Sequence, residues 1–257
     1  MSGNKGRKTA VILSLVLFLA GSVVALSPWL HSQWVTYTMR RDVQEFLSYV
    51  EVAPYAPGQI SLREPTEKDG ETGGPVLPTE YTQLWLDMQS YNRSIFEEGQ
   101  TGLSDPSAYE KASFCLADYG LESEVFGVLS IPRLEIQMPI YLGASKQNMA
   151  NGAAIMGQTS LPIGGSNTNC VLAGHRGWNG AAYFLYINQL EPGDTVTITN
   201  LWETLNYKVS EVRVISPNDV DAIQIQPNRE LLTLLTCHPP ASGGKQRYLV
   251  VCERTYL

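Results

Sequence analysis

The stretch that decides the fold is Leu231-Leu232-Thr233-Leu234-Leu235-Thr236-Cys237-His238-Pro239-Pro240. Its apolar run favours a β-strand, and the two prolines force the chain out of a sheet. Cys237 therefore stands at the rim of a predicted strand rather than in its middle. A small buried hydrophobic residue is the commonest fate of an unpaired cysteine, so the position alone leaves both a structural and a chemical interpretation.

The chain around this stretch has the texture of a β domain from residue 125 onward. Short runs rich in Val, Ile, Leu and Tyr alternate with Gly, Pro and Asn, which is typical of strands and turns. Seven or eight strands with short connections predict a mainly β fold, either a closed barrel or a sandwich, and length alone does not separate the two. The predicted strands cover residues 126–131, 134–142, 170–173, 195–199, 205–215, 231–237 and 247–253.

Residues 31–124 are predicted to form a helical extension before this domain. Apolar residues recur at helical spacing over 34–50 and again over 81–96, which predicts two helices. Between them, residues 53–78 are rich in Pro, Gly, Glu and Lys and poor in large apolar side chains. Such a segment cannot bury enough surface to order itself firmly, so we expect a loose insertion or linker.

The first 30 residues indicate where the protein works. Lys5, Arg7 and Lys8 precede an uncharged apolar run over 9–26, which is just long enough to span a bilayer as a helix. The positive residues predict that this end stays in the cytoplasm and that the rest of the chain is outside. Val23-Val24-Ala25 would also suit signal-peptide cleavage, but the run exceeds the roughly 7 to 15 apolar residues of a signal core. We expect an uncleaved, single-pass membrane anchor.

The composition limits the possible partners. Of the 257 residues, 44% are hydrophobic, which is enough for a sizeable core. With 18 basic and 25 acidic residues the net charge is −7, so no broad positive surface is available for nucleic acid. The cysteines are scattered, without the close pairs of a zinc site, and we expect neither a metal nor a cofactor. If one thiol is functional, at most one disulfide can form among the other three. The four are Cys115, Cys170, Cys237 and Cys252.

His175 is the histidine best suited to acid/base chemistry. His31 lies just beyond the membrane segment, and His238 directly follows Cys237, so in an extended chain it points to the opposite face. His175 ends an apolar run and is bracketed by glycines in Ala173-Gly174-His175-Arg176-Gly177. Glycines let the chain turn sharply and present the imidazole at a strand end. A histidine that merely caps the turn is the plainer alternative.

Cys237 and Arg247 complete the candidate site. A thiol becomes a useful nucleophile only when a neighbouring base or cation favours its thiolate, so Cys237 needs His175 close by. Arg247 opens the last predicted strand and shares a face with Leu249 and Val251. A guanidinium there can stabilise the oxyanion of an acyl-transfer intermediate or hold a substrate backbone. A surface ion pair is the alternative.

The ordered combination of these motifs, over roughly residues 125–254, resembles the sortase family. The family motif Thr-Leu-x-Thr-Cys is matched by Thr233-Leu234-Leu235-Thr236-Cys237, with a histidine upstream and an arginine ten positions later. The resemblance implies a closed eight-stranded β-barrel with Cys237 as nucleophile, His175 as acid/base partner and Arg247 as transition-state stabiliser. It also implies attack on the Thr–Gly bond of an LPXTG-like sorting signal on a surface protein or pilin. A thioacyl enzyme would then pass its acyl group to a pilin lysine or to the amine of a cell-wall precursor.

Within that family, the long N-terminal extension and the stretch Gly157-Gln158-Thr159-Ser160-Leu161-Pro162-Ile163-Gly164-Gly165 resemble the pilus-assembling class C. Those enzymes carry an Asp-Pro-aromatic lid over the active site. Asp105 and Pro106 are present here, but Ser107 takes the aromatic position. Three alternatives follow: Tyr109 substitutes for the aromatic residue, the lid is weaker, or the dipeptide is a plain turn. The resemblance implies a lid over about 103–110 with Asp105 against Arg247.

Two rival functions remain open. An extracytoplasmic cysteine peptidase would hydrolyse the same acyl enzyme that a transpeptidase passes to an amine. A non-enzymatic surface protein would keep the anchor and the β domain, with Cys237 buried. We divide the chain into an anchor (1–30), an extension (31–124) and a catalytic barrel (125–257), with Thr236 grouped with the lid residues as a candidate substrate contact.

Overall fold

The computed structural model describes residues 3–52, 81–178 and 180–256. The insertion predicted over 53–78 lies outside the described residues. The helices are α1 Gly3–Val52, α2 Thr82–Glu97 and α3 Lys146–Asn151, and short 3₁₀ helices fill several connections. The strands are β1 Val125–Ile131, β2 Ile136–Leu142, β3 Ala153–Ile155, β4 Thr168–Ala173, β5 Thr195–Thr199, β6 Thr204–Ile215, β7 Glu230–His238 and β8 Gln246–Arg254.

Within the described residues, eight strands close into a barrel in the order β1-β2-β3-β4-β7-β8-β6-β5, and β5 pairs back to β1. This confirms the closed eight-stranded barrel. Most neighbouring strands are antiparallel, but β2 with β3 and β4 with β7 are parallel. The sequence missed β3 because three residues, two of them alanines, carry no strand pattern.

Helix α1 is longer than the sequence predicted. It continues through Pro28 and joins the apolar N-terminal run to the helix expected over 34–50. Its most apolar window has the length and composition to cross a membrane, with a mean hydropathy of 2.3 and no buried residue. Beyond that window, one face packs on β1 and β2 with the three- and four-residue spacing of an amphipathic helix. The buried residues of that face are Val35, Met39, Val43, Phe46 and Val50.

Strand β7 separates two apolar clusters, because successive side chains point to opposite faces of a sheet. Leu232 and Leu234 belong to the large cluster that fills the barrel. Leu235 packs instead on a smaller cluster outside the barrel wall, which includes Leu103 and Ile223 from the segments that flank the sheet. This outer face of β7 is the one that carries Cys237.

All four cysteines are free. Cys170 on β4 and Cys252 on β8 are buried inside the barrel, and burial raises the pKa of both thiols well above the usual value. Both are in register with Leu232 of β7, so a whole strand separates them. Since neighbouring strands are about 4.8 Å apart, the two sulfurs are too distant for a disulfide.

Candidate active site

The parallel pairing of β4 and β7 brings His175 and Cys237 side by side. Ala173 is in register with Leu235, and the next residue, Gly174, donates its N–H to the Leu235 carbonyl at 3.1 Å. Two residues further along each chain lie His175 and Cys237, on the same face as Ala173 and Leu235. The two side chains therefore lie at neighbouring strand ends, and both line one cleft.

Thr236 joins the adjacent ends of β4 and β7 by a side-chain hydrogen bond. Its hydroxyl donates to the carbonyl of Gly174 at 2.7 Å, and the side chain is only 1% exposed. The bond ties the strand that carries Cys237 to the residue just before His175. The structure thus gives Thr236 a positioning contact, whereas the sequence placed it among candidate substrate contacts.

Arg247 completes the row from the other side. It is in register with Cys237 across the antiparallel pair β7–β8. Its Nη1 donates to the carbonyls of Gly244 at 2.7 Å and Gln246 at 3.1 Å. A Cβ on Gly244 would lie 2.9 Å from that nitrogen and 3.4 Å from the sulfur of Cys237, so thiol and guanidinium converge on one point. We call the ends of β4, β7 and β8 with these three residues the floor of the site.

The surroundings of His175 favour its neutral form. The imidazole stacks on the Trp178 ring at 4.9 Å and meets the edge of the Tyr183 ring at 5.7 Å. Half-burial between these rings lowers the pKa of His175 by removing water from the charged form. A neutral imidazole beside a thiol can accept its proton.

His238 lies on the other face of β7, as strand parity predicts. Its ring packs against Tyr248 at 5.6 Å. Tyr248 is in register with Thr236, not with Cys237, so this histidine does not belong to the row.

A cleft of about 510 Å³ opens in front of Cys237. The floor supplies its reactive end, and its apolar lining includes Met149, Met156 and Ile223. Polar rim residues include Lys146 and Asp219. Among the described residues, no group of three or more His, Cys, Asp or Glu side chains is placed to hold a metal ion.

Residues 101–111 form one side of this cleft, and we call them the wall. Pro106 and Tyr109 line the cleft, within the segment predicted as a lid. The Tyr109 hydroxyl donates to the Leu103 carbonyl at 2.5 Å. The Tyr109 carbonyl accepts from the N–H groups of Ala144 at 2.8 Å and Gly157 at 3.0 Å. The two bonds to the carbonyl fix the wall to the loops after β2 and β3, and the hydroxyl bond braces the wall internally.

The expected contact between Asp105 and Arg247 is not made. The exposed Asp105 carboxylate accepts the backbone N–H of Ser107 at 2.9 Å, and this bond lowers the pKa of Asp105. Pro106 follows at the first position of a 3₁₀ helix, Pro106–Glu110. Asp105 therefore caps its own short helix, which is the local alternative for an Asp-Pro dipeptide.

Arg176 braces the surroundings of the site, although it does not line the cleft, and the sequence did not single it out. Its side chain is buried, with Nε donating to the Leu185 carbonyl at 2.9 Å and Nη2 to Asn188 Oδ1 at 2.7 Å. The guanidinium lies over the Tyr248 ring, 5.2 Å from its centre. Arg176 thus ties the loop after His175 to β8 beside Arg247. Its only sequence signal was a charge at the start of an otherwise uncharged run.

Comparisons with known proteins agree with this geometry. A family model described as "Sortase domain" matches residues 129–255, which include the whole floor. The chain is 31% identical over 133 residues to Sortase A of Streptococcus agalactiae serotype III (strain NEM316), covering 50% of this chain and 52% of that protein. It is 28% identical over 160 residues to Sortase D of Bacillus subtilis (strain 168), covering 62% and 76%. The chain therefore spans about half the length of the first relative and about three quarters of the second.

Similar solved structures are also sortases. The structure titled "Pilus-related Sortase C of Group B Streptococcus" superposes with a TM-score of 0.61 at 30% identity, covering 70% of this chain and 92% of that one. "Sortase C1 of GBS Pilus Island 1" gives a TM-score of 0.65 at 25% identity, covering 85% and 93%.

Proposed function

This chain belongs to the sortase family, and we propose that it is a cysteine transpeptidase that cleaves an LPXTG-like sorting signal and joins the released protein to an amine. The observation that carries the proposal is the single row of His175, Cys237 and Arg247 across three adjacent strands. Such a row holds a base, a nucleophile and an oxyanion donor in fixed order along one edge of an open cleft.

The chemistry follows from that order. The sulfur of Cys237 attacks the carbonyl carbon of the Thr–Gly bond while its proton passes to the imidazole of His175. The C–N bond then breaks, and the imidazolium gives the proton to the departing glycine amine. An incoming amine attacks the carbonyl carbon of the thioester and gives a proton to His175. The C–S bond then breaks, the new amide is released, and the imidazolium returns the proton to the sulfur of Cys237. Each half therefore conserves protons and needs no cofactor.

Arg247 suits the oxyanion of both tetrahedral intermediates. Its two bonds to its own loop use Nη1, which leaves Nε and Nη2 to donate toward the cleft. The loop contacts hold the guanidinium beside the sulfur before substrate arrives, and such preorganisation is what makes an oxyanion donor effective.

The setting we propose is the outer surface of a cell membrane. The apolar N-terminal part of α1 would anchor the chain, with Lys5, Arg7 and Lys8 on the cytoplasmic side. The partners would be surface proteins or pilins with a C-terminal sorting signal, and the acceptor a pilin lysine or a cell-wall precursor. Similarity to structures titled as pilus sortases supports the pilin alternative.

The test is product analysis on a sorting-signal peptide, with and without an added amine. We expect cleavage by the wild-type chain, an amide product when the amine is present, and no cleavage by Cys237→Ala. Cys115→Ser is the matched control, because Cys115 is also a free and accessible cysteine but lies outside the cleft. Cleavage retained in Cys237→Ala would rule the proposal out, and water as the only acceptor would make the protein a hydrolase.

A further inference from the structure

The loop that follows His175 is uncharged and exposes two large aromatic side chains. Residues 177–190 contain no Asp, Glu, Lys or Arg, although 17% of the chain is charged. The side chains of Trp178 and Tyr186 are 49% and 50% exposed. An uncharged, aromatic surface is costly to leave in water and is typical of residues that lie at a membrane interface.

Helix α1 holds this loop close to the point where its apolar run ends. The Ser32 hydroxyl donates to the Gly180 carbonyl at 3.1 Å. A Cβ on Gly180 would lie 3.1 Å from the Cβ of Ser32 and 3.4 Å from the Pro28 carbonyl oxygen, so helix and loop are in close contact. Pro28 and Ser32 follow Leu26 by two and six residues, which is about 3 Å and 9 Å along a helix. The headgroup layer is about 5–7 Å thick on each side of a bilayer, so with the apolar run as the proposed anchor, Gly180, held between these two residues, lies in the outer part of that layer.

The exposed side of α1 has one interface residue within the headgroup layer. Trp29 is 60% exposed and lies three residues beyond Leu26, about 4.5 Å along the axis. Tryptophan and tyrosine concentrate where a membrane meets water. The helix and the loop after His175 thus present aromatic residues to one layer.

We infer that the loop around Trp178 and Gly180 rests on the outer-leaflet headgroups, so that the catalytic cleft opens at the membrane surface. The occupant of this aromatic surface is the lipid bilayer itself. Trp178 stacks on the imidazole of His175, and the Cα atoms of Trp178 and Gly180 are at most about 7.6 Å apart. The His175 end of the floor therefore lies close to the membrane.

Under the proposed function, on which this consequence rests, the orientation places the cleft where a sorting signal held near the bilayer by an apolar segment of the substrate can reach it. A freely soluble peptide would reach the same cleft only from solution, without the gain in effective concentration that tethering provides.

Lipid-depth quenching on the full chain in vesicles tests the orientation without any activity measurement. In a Cys115→Ser, Cys237→Ala background, a fluorophore is attached at Ala182→Cys, an exposed position of the loop. The matched control is Ser166→Cys, exposed at the other end of β4, about 20 Å away along the strand. We expect headgroup nitroxide lipids to quench the label at position 182 far more than the label at 166. Equal or reversed quenching, or release of the chain from the vesicles, overturns the inference.

A helical spacer tests the substrate consequence. Seven helix-forming residues inserted after Ser27 lift the domain by about 10 Å and turn it by only about 20°. We expect roughly tenfold slower conversion of a sorting peptide fused to a membrane helix, and unchanged conversion of the same peptide in solution. Equal rates on the tethered peptide contradict the consequence. If neither chain converts either peptide, the proposed function fails, while the quenching result still decides the orientation.

Discussion

The floor and the wall of the cleft are built in different ways. On the floor, continuous strand pairing from β4 to β7 to β8 sets the order of His175, Cys237 and Arg247. On the wall, the carbonyl of one residue, Tyr109, accepts the two bonds that join residues 101–111 to the loops after β2 and β3, while its hydroxyl bonds Leu103 within the wall. The pairing register of two strands can shift only by whole residues, and such a shift moves every side chain of the strand. A hydrogen bond of a loop, by contrast, can be lost without changing the others. We therefore expect the reaction chemistry to depend on the floor, and the shape of the cleft to vary through the wall.

The largest effect should come from removing the guanidinium of the floor. We expect Arg247→Ala to lower kcat by about 10² to 10³-fold, because an oxyanion donor acts mainly in the transition state. Peptide-cleavage kinetics measure it, and Arg247→Lys, which keeps the charge without the fork of donors, should recover only part of the rate. A raised KM with unchanged kcat would instead make Arg247 a substrate-binding residue.

A smaller effect should follow from removing the hydrogen bond that joins β7 to the residue before His175. Thr236→Val removes the hydroxyl that donates to the Gly174 carbonyl, and we expect a loss of about 1 kcal/mol in the free energy of unfolding. Because the bond also aligns His175 with Cys237, kcat should fall as well.

Thr233→Val is the matched control for that change. Thr233 is buried on the same strand and donates to Asn169 Oδ1 at 2.9 Å, away from the row. Urea unfolding should show a similar loss of stability, but kcat should stay near wild type. Equal kcat losses in the two variants would mean that Thr236 has no positioning role.

A change in pH dependence should follow from uncovering the imidazole. In Trp178→Ala, water regains access to His175, so the pKa of His175 should rise toward its ordinary value. An NMR titration of the imidazole measures this shift, and the acidic limb of kcat/KM should move to higher pH with it. Tyr186→Ala, which removes another half-exposed ring of the same loop, should leave that pKa unchanged. A lower pKa in Trp178→Ala would contradict the desolvation argument.

The smallest effect should be found on the wall. Asp105→Ala should leave the alkylation rate of Cys237 unchanged, because Asp105 caps Pro106–Glu110 and does not reach Arg247. Tyr109→Phe, which loses the bond to Leu103, should change the labelling rate more. Faster alkylation in Asp105→Ala would show that Asp105 restrains a lid after all.

Much of the floor was predictable because its signals are local. The runs that became β4, β7 and β8 have strand composition, and prolines or glycines mark the ends where His175 and Cys237 stand. Strand parity correctly placed His238 on the other face of β7. The pairing of β4 with β7 could not be derived from composition, because which strands become neighbours depends on the whole barrel.

The wall was less predictable because its bonds join distant parts of the chain. The Tyr109 carbonyl meets Ala144 and Gly157, residues that no local pattern links to it. The cap formed by Asp105 is local, and the sequence did offer a plain turn as the alternative to a lid contact. The surroundings of His175 were also missed, since the positions of Trp178 and Tyr183 depend on how the loop folds back.

Under the proposed membrane anchoring, helix α1 would also determine how the protein meets its partners. One uninterrupted helix connects the apolar run to the barrel and packs along β1 and β2, so the domain keeps a fixed heading relative to that run. Two proteins anchored in the same membrane would then meet by lateral diffusion within the membrane plane. The rate of such encounters would depend on the number of partner molecules per unit area of membrane. A partner that arrives in the wrong orientation would have to rotate about the membrane normal before it could react.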